Sequence, residues 1–320
     1  MRVLVTGASG MLGRAVAQTI ERNGHRVTVL QRRPSGLDCA EIQGNITDQQ
    51  TVDTAVQGQH AVVHLAARVS PTGRWQDFWD VNVGGTRNLV KASQQAGVTR
   101  FIYVSSPAVA SSGAEHVGES ALPADPATTR SYYARSKAEA EQLVFAHAGG
   151  DMAVAAVRPH LVWGPGDEQL VARVLGRAAS GSLRLVGSGA ALVDSTYVDN
   201  AADALAAALE QASAINGRAL VVSNGEPRPV AELLRGICHA AGFELPMRGV
   251  PTWAAKAGGA LAETVWAAGR LTNDPPMTRF LAEQLSTAHW YDQRQTCELL
   301  DWTPSVSIDD GLAKLADWYR

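Results

Sequence analysis

The sequence predicts an α/β fold, a doubly wound parallel sheet with a smaller C-terminal lobe. Three observations carry this. Short apolar runs alternate with helical patterns through the first half of the chain. A glycine-rich turn joins the first run to the first helix. The regular alternation stops at Gly164, after six strong strand candidates. Apolar strands separated by amphipathic helices imply βαβ units in a sheet covered on both faces. Right-handed crossovers then wind such a sheet outward on both sides. Six strands are too few for a closed barrel.

The elements follow in order. Arg2–Thr6 reads as a buried strand. Met11–Arg22 reads as a helix with Leu12, Ala15, Val16, Thr19 and Ile20 on one face. His25–Leu30 and Cys39–Gln43 are the next strands. Asp48–Val56 is a helix capped by Thr47 or Asp48. Ala61–Ala66 is the fourth strand. Trp75–Ala96 is one long helix ended by Gly97, and Arg100–Ser105 is the fifth strand. Arg130–His147 is a helix, and Met152–Arg158 the sixth strand. Beyond Gly164, Leu183–Val186, Val193–Tyr197 and Ala219–Val222 read as short strands. Asn200–Gln211, Val230–Ala241 and Met277–Leu285 read as helices. The expected division is a dinucleotide-binding domain, 1–165 plus about 192–225, and a substrate lobe, about 166–191 plus 226–320.

Composition narrows the function. The 320 residues are 46% hydrophobic and 18% charged, which argues against disorder. The net charge of −3 leaves no basic footprint, so nucleic acid is not an expected partner. Cys39, Cys238 and Cys297 are far apart and form no CxxC pair. A disulfide framework is not expected, and a reducing cytoplasm is the expected location. No His, Cys and carboxylate set has metal-ligand spacing, so no metal is expected. The run MRVLVTG is too short for a signal peptide, and no stretch is apolar enough for a transmembrane segment.

The first strand runs into Gly7-Ala8-Ser9-Gly10-Met11-Leu12-Gly13, a GxxGxxG turn that opens a helix. Glycine lets backbone N–H groups approach a pyrophosphate, and the helix N-terminus adds partial positive charge. The last glycine allows close helix-to-sheet packing. Gly7, Gly10, Met11, Leu12 and Gly13 are therefore candidate cofactor residues. Glycines that merely shape a turn are the alternative. After strand two, an acid would hold a ribose 2′-hydroxyl. The chain has Gln31-Arg32-Arg33 instead. Arg32 and Arg33 suit a 2′-phosphate by charge and bidentate geometry. NADP(H) is thus favoured, with NAD(H) the alternative and two solvated loop arginines the plainer reading. Asn45 and Ile46 could pair with and cover an adenine. Ala66 and Ala67 would let a cofactor lie against the sheet edge, although a plain tight strand end has the same look.

Tyr133-Ala134-Arg135-Ser136-Lys137 is a YxxxK pair on a helix, with both side chains on one face. A neighbouring ammonium and an oxidised nicotinamide would favour the phenolate, which could exchange a proton with a substrate oxygen. YxxxK alone also occurs on ordinary surface helices. Ser106, at the end of strand five, could bond the same oxygen. Tyr132 is five residues from Lys137 and reads as packing or substrate contact. His160 reads as a hydrogen-bonded neighbour without assigned chemistry.

These motifs, with His64-Leu65-Ala66-Ala67, Val81-Asn82-Val83-Gly84-Gly85-Thr86, Arg158-Pro159 and Tyr197-Val198-Asp199-Asn200, resemble the extended short-chain dehydrogenases/reductases over essentially the whole chain. The resemblance implies a Rossmann sheet, an NAD(P)-dependent oxidoreductase, and Ser106, Tyr133 and Lys137 as catalytic set. It places Pro159 and Leu161 along the nicotinamide, and Asn82 in the cofactor and helix-bending network. Arg158–Asp167 is similar to the 3β-hydroxysteroid dehydrogenase branch. Leu192–Tyr197, Ser223–Pro227, Thr278–Leu281 and His289–Tyr291 resemble bacterial 2-alkyl-3-oxoalkanoate reductases of olefin biosynthesis. That likeness implies NADPH-dependent reduction of a β-keto acid with two long alkyl chains. A partner enzyme then closes the β-hydroxy acid to a β-lactone. Homodimers through Arg87–Gln95 and Tyr133–His147 are the family-level expectation, with association among pathway enzymes an added one. Two positions depart from the pattern. Asn45 replaces the usual Asp, and Val109-Ala110-Ser111 replaces the usual VYG.

Trp253, Val265, Trp266, Leu271, Met277 and Phe280 read either as helical core or as an apolar wall for alkyl chains or a sterol, with surface contact to membrane or another enzyme. Arg68 or Arg279 could meet a carboxylate or serve as a structural ion-pair partner. Three alternatives stand beside the keto-acid reductase. A hydroxysteroid dehydrogenase differs mainly in direction and substrate. A nucleotide-sugar epimerase or dehydratase fits the apolar lobe poorly, and Pro107 and Ala108 supply no elimination acid beside Ser106. A dinucleotide sensor without turnover would have no need of all three of Ser106, Tyr133 and Lys137.

Overall fold

A computed structural model describes residues 1–70, 72–111, 113–129, 131–244, 249–269 and 277–320, without the side chains of 267–269 and 280. Arg130, Arg270, Leu271 and the Phe280 side chain of the sequence reading therefore lie outside the described residues.

The first half is built from β1 (Arg2–Thr6), α1 (Met11–Arg22), β2 (Arg26–Gln31), β3 (Ala40–Gln43), α2 (Gln49–Val56) and β4 (Ala61–His64). Next come α3 (Trp75–Phe78), a π-helical segment (Trp79–Gly85), α4 (Thr86–Gln95) and β5 (Arg100–Val104). A 3₁₀ turn (Pro107–Ala110), β6 (His116–Glu119), α5 (Tyr132–Phe145) and β7 (Ala153–Pro159) complete it. The second half holds β8 (Val162–Trp163), α6 (Leu170–Ala179), β9 (Leu185–Val186), β10 (Leu192–Val193), β11 (Thr196–Tyr197), α7 (Val198–Glu210) and β12 (Ala219–Val222). It ends with β13 (Arg228–Pro229), α8 (Val230–Ala240), β14 (Gly249–Val250), α9 (Thr252–Gly269), α10 (Arg279–Gln284), β15 (His289–Tyr291), α11 (Arg294–Leu300) and α12 (Ile308–Tyr319).

Seven strands form one parallel sheet in the order β12-β7-β5-β4-β1-β2-β3. Val3 of β1 lies between Val27 of β2 and Ala61 of β4. Side chains alternate across the sheet. Val3, Val5 and Val63 therefore pack with Val16 and Ile20 of α1 and Leu205 of α7, while Leu4 and Val62 pack on the other face with Leu89, Ala140 and Val144. Each fully buried branched side chain contributes roughly 1.5–3 kcal/mol relative to exposure. This is the doubly wound α/β fold expected. The chain leaves the sheet after β7 and returns in β12 at its edge.

The second half is less regular because its strands are short. Its larger sheet has the order β13-β10-β15-β6 and takes β6 from the first half. Trp163, Val171, Leu234 and Leu315 share the apolar cluster beneath it. Asn200 and Asn224 both donate to the Val306 carbonyl and tie α7 to the segment before α12.

Three expectations change. The long helix Trp75–Ala96 is broken by the π-helical segment. Gly84 and Gly85 weaken it locally, and the Thr86 hydroxyl takes the Asn82 carbonyl at 2.6 Å. Val193–Tyr197 divides into β10 and β11, which serve different sheets. Buried Asp194 sits at the break and accepts from the Ser195 N–H at 3.1 Å and from the Ser223 hydroxyl. Of the expected helical core, Trp253 and Val265 of α9, with Leu261 between them, are exposed at 75, 47 and 66%, while Met277 packs against Val186, Ala255 and Ala282. Helices α6, α11 and α12 have no counterpart in the sequence reading. Asp167 caps α6 by accepting from Gln169 and Val171 N–H, and Ser307 caps α12 through Asp310 N–H. No helix among the described residues is long and apolar enough to cross a membrane.

Candidate active site

The site lies at the carboxyl ends of β1, β2, β4, β5 and β7, where parallel sheets collect functional groups. Gly7 has φ of +82°, and a Cβ there would stand 2.9 Å from Ala66 N. A Cβ at Gly13 would collide with the Gly7 carbonyl. Glycine is thus required at both positions, the first by backbone conformation and approach to β4, the second by helix-on-strand contact. Gly10 stands before Met11 and Leu12 at the start of α1 with no side-chain cap, so the leading N–H groups of that helix remain available to an anion.

Arg32 and Arg33 are exposed at the end of β2, and neither forms an ion pair among the described residues. The loop behind them is ordered by residues the sequence reading missed. Glu41 of β3 accepts from the N–H and hydroxyl of Ser35, at 2.9 and 2.6 Å, and Arg14 donates to the Ser35 carbonyl. These bonds hold the Glu41 carboxyl below its usual pKa. Asn45 is half-buried and accepts from the Thr47 N–H at 3.2 Å. Ile46 is buried against Gly85.

Below Ala66 and Ala67 runs a buried chain of polar bonds. The Thr86 hydroxyl donates to the Asn82 carbonyl, so it accepts from His64 Nε2 at 2.9 Å. His64 Nδ1 then accepts from the Thr6 hydroxyl at 2.7 Å, and Thr6 Oγ1 accepts from the Ala66 N–H at 3.1 Å. One tautomer satisfies every partner. Burial, then the charge of Lys137, pushes the His64 pKa down to about 3, so the ring is neutral. Thr6, His64 and Thr86 thereby fix the strand end that carries Ala66. Only the His64-Leu65-Ala66-Ala67 run hinted at this.

Ser106 caps the 3₁₀ turn after β5, and Tyr133 and Lys137 stand on α5, capped by Ser131. Ser106 stands beside the Tyr133 phenol. Burial raises the Tyr133 pKa, against a lowering by the neighbouring Ser106 hydroxyl. Lys137 is buried, donates to the Val104 carbonyl at 2.6 Å, and lies 4.1 Å from the Tyr103 ring centroid. Burial lowers its pKa to about 7, against the pull of Glu141. Asn82 bridges the site. It accepts from Arg68 N–H at 2.7 Å and donates to the Arg68 carbonyl at 3.1 Å and Ser136 Oγ at 2.8 Å.

Pro159 ends β7 and is buried. Leu161 has φ of +43°, a left-handed conformation that costs a branched residue energy, and the residue is 37% exposed. Buried His160 lies edge-on to Tyr291 at 5.2 Å, and burial lowers its pKa to about 3. His116 and His289 join it, with ring centroids 6.0 Å apart. Tyr132 is half exposed beside Trp75 and Phe78.

A glycine cradle at a helix start, joined at one sheet edge to a serine, a tyrosine and a lysine, defines an NAD(P)-dependent oxidoreductase of the short-chain dehydrogenase/reductase class. The chain belongs to the NAD dependent epimerase/dehydratase family, whose model matches residues 3–223. It is 39% identical to the 2-alkyl-3-oxoalkanoate reductase of Stenotrophomonas maltophilia (strain K279a), over 98% of each chain. It is 36% identical to the 3-beta-hydroxysteroid dehydrogenase of Mycolicibacterium neoaurum, over 77% of this chain and 71% of that one. The crystal structure of gox2253 superposes with a TM-score of 0.80 at 26% identity, covering 99% of this chain and 97% of that one.

Proposed function

We propose that this reductase uses NADPH to convert a bulky apolar β-keto acid, a 2-alkyl-3-oxoalkanoate, to the β-hydroxy acid. The observation that carries the reading is the grouping of Ser106, after β5, with Tyr133 and Lys137 of α5, the serine beside the phenol. Burial keeps the Tyr133 phenol protonated at neutral pH, as a proton donor to a ketone oxygen must be. The 39% identity to a 2-alkyl-3-oxoalkanoate reductase along the chain supplies the substrate class.

The residues present fit a dinucleotide. Gly7, Gly10, Met11, Leu12 and Gly13 would hold its pyrophosphate, Asn45 and Ile46 its adenine, and Arg32 and Arg33 a 2′-phosphate. Ala66, Ala67, Asn82, Pro159 and Leu161 would surround the nicotinamide end. The bound nicotinamide supplies the hydride. Ser106 polarises the ketone oxygen and Tyr133 protonates it. Lys137 uses the N–H groups left after its bond to Val104 to hold ribose hydroxyls, and its charge favours proton release from Tyr133 to the ketone oxygen. Residues 1–165 with about 192–225 form the nucleotide part in this reading, and about 166–191 with 226–320 form the substrate lobe. The surfaces of Arg87–Gln95 and Tyr133–His147 are the proposed homodimer contacts. A cytoplasmic setting belongs to the same proposal.

The second reading is a hydroxysteroid dehydrogenase, favoured by the 36% identity to the mycolicibacterial enzyme. Absorbance assays with NADPH and NADH, each against a long-chain 2-alkyl-3-keto acid and a 3-ketosteroid, decide between them. NADPH oxidation with the keto acid alone is the expected result. Turnover of the steroid alone moves the protein to the second reading. A strong NADH preference removes the assignment of Arg32 and Arg33.

A further inference from the structure

We propose that Arg68 receives the carboxylate of the substrate and so selects keto acids over simple ketones. This rests on the keto-acid reading above and names the group that recognises the acid. Arg68 follows β4 by four residues, at the same sheet edge as the other site residues. Its backbone is held at both N–H and carbonyl by Asn82. Asn82 also donates to Ser136 Oγ, and the Ser136 hydroxyl donates to the Tyr133 carbonyl at 2.9 Å. The backbone of Arg68 is therefore fixed relative to the turn that carries Tyr133.

The side chain is less committed. Its guanidinium carbon lies 5.2 Å from the Phe78 ring centroid, and the Nε is buried with no hydrogen-bond partner. Asp77 stands 3.9 Å away, but that carboxylate bonds Arg74 at 2.6 Å. The Arg68 side chain is 40% exposed, open to a ligand. Other arginines of the region are engaged. Arg158 pairs with Glu141 and donates to the Leu122 carbonyl; Arg135 bonds Glu139 at 3.1 Å and lies over Trp75. Arg279, the other carboxylate candidate of the sequence, bonds Glu263 at 3.2 Å. His116 and His160 are buried, and burial holds His160 neutral. A loosely paired, partly exposed guanidinium suits a carboxylate. The half-exposed Tyr132, whose ring centroid lies 6.3 Å from that of the buried Phe78 ring under Arg68, gives apolar surface for an alkyl chain.

The test compares Arg68→Gln and Arg68→Lys with the unaltered enzyme on two substrates and NADPH. One is a 2-alkyl-3-keto acid, the other the matched dialkyl ketone without the carboxyl group. NADPH fluorescence reports folding and cofactor affinity. Arg68→Gln is expected to raise KM for the acid at least about tenfold, the effect of one charge-assisted hydrogen bond. The ketone constants and NADPH affinity stay unchanged, and Arg68→Lys recovers part of the loss. Equal losses on both substrates, a loss of NADPH affinity, or no change overturns the assignment of Arg68 while the keto-acid reading stands. An unaltered enzyme that binds NADPH and reduces neither substrate overturns the keto-acid reading, and this inference with it.

Discussion

The turn that carries Gly7 and the cluster that carries His160 lie on the same molecule and are specified in opposite ways. In the first, Gly7 to Gly13 are consecutive, and each constraint acts within that stretch or against the adjoining strand end at Ala66. In the second, His116, His160, His289 and Tyr291 come from β6, the residue after β7, and β15. His116 and His289 are register partners although 173 positions separate their numbers. A feature made by local backbone geometry tolerates change elsewhere. A feature made by distant segments depends on each of them staying packed.

Five predictions test that contrast, from the largest effect downward. Tyr133→Phe removes the proposed proton donor. It should lower kcat by about 10²–10⁴ while NADPH affinity, read by fluorescence, stays unchanged. Unchanged turnover would remove Tyr133 from the chemistry.

Glu141→Gln strands the buried Arg158, which it bonds in a fully buried pair. Urea denaturation should register a loss of about 3–5 kcal/mol. A small loss would mean that the Leu122 carbonyl suffices to hold the guanidinium.

The third prediction concerns pH. Burial depresses the folded-state pKa of His64 and His160 to about 3 and of His289 to about 4. The unfolded rings titrate near 6.5, so below that pH the unfolded state binds more protons. Stability is then lost as pH falls from about 6.5 toward about 4, by up to about 2 kcal/mol per histidine at pH 5. Asp194 opposes this, because its pKa is raised to about 6 and the folded state takes up its proton first. Thermal melts at pH 7 and pH 5 should show a net loss at the lower pH. His160→Gln should reduce the difference.

Gly13→Ala and Gly311→Ala compare the two regions directly. The added methyl meets the Gly7 carbonyl in one case. In the other it meets Tyr197 and Trp163, at 2.7 and 3.0 Å. Both should cost about 1–3 kcal/mol. Only Gly13→Ala should also weaken NADPH binding. Equal effects on binding would show that the second half transmits strain to the nucleotide site.

Leu161→Gly is the smallest. It relieves the left-handed backbone, worth about 1 kcal/mol, and removes a side chain proposed to lie on the nicotinamide. Stability should hold or rise while kcat/KM falls. A rise in both would free Leu161 from any contact with the reaction.

Much of the fold was legible in the residues. Met11–Arg22 and Arg2–Thr6 have the predicted bounds, because an uninterrupted apolar period over a full element leaves one way to bury it. Trp75–Ala96 was misread as one helix, whose π-helical segment lies where the Thr86 hydroxyl takes the Asn82 carbonyl and Asn82 bonds the backbone of Arg68, fourteen positions away. Strands β6 and β15 carry four and three residues, too few for any period to show. The solvent face of Trp253, Leu261 and Val265 was equally hidden, because an apolar helix has the same sequence whether or not another surface covers it.

The sequence by itself determined the parallel sheet, the glycine cradle and the Tyr133–Lys137 spacing. Each follows from backbone sterics or from one periodicity acting over a few residues. Only the tertiary structure decided that Lys137 turns to the Val104 carbonyl, that one tautomer of His64 joins Thr6 to Thr86, and that Arg279 is tied to Glu263 while Arg68 is loosely paired. These depend on where a donor finds its acceptor across the fold. Burial then sets the charge each group carries, through desolvation that no short stretch of sequence encodes.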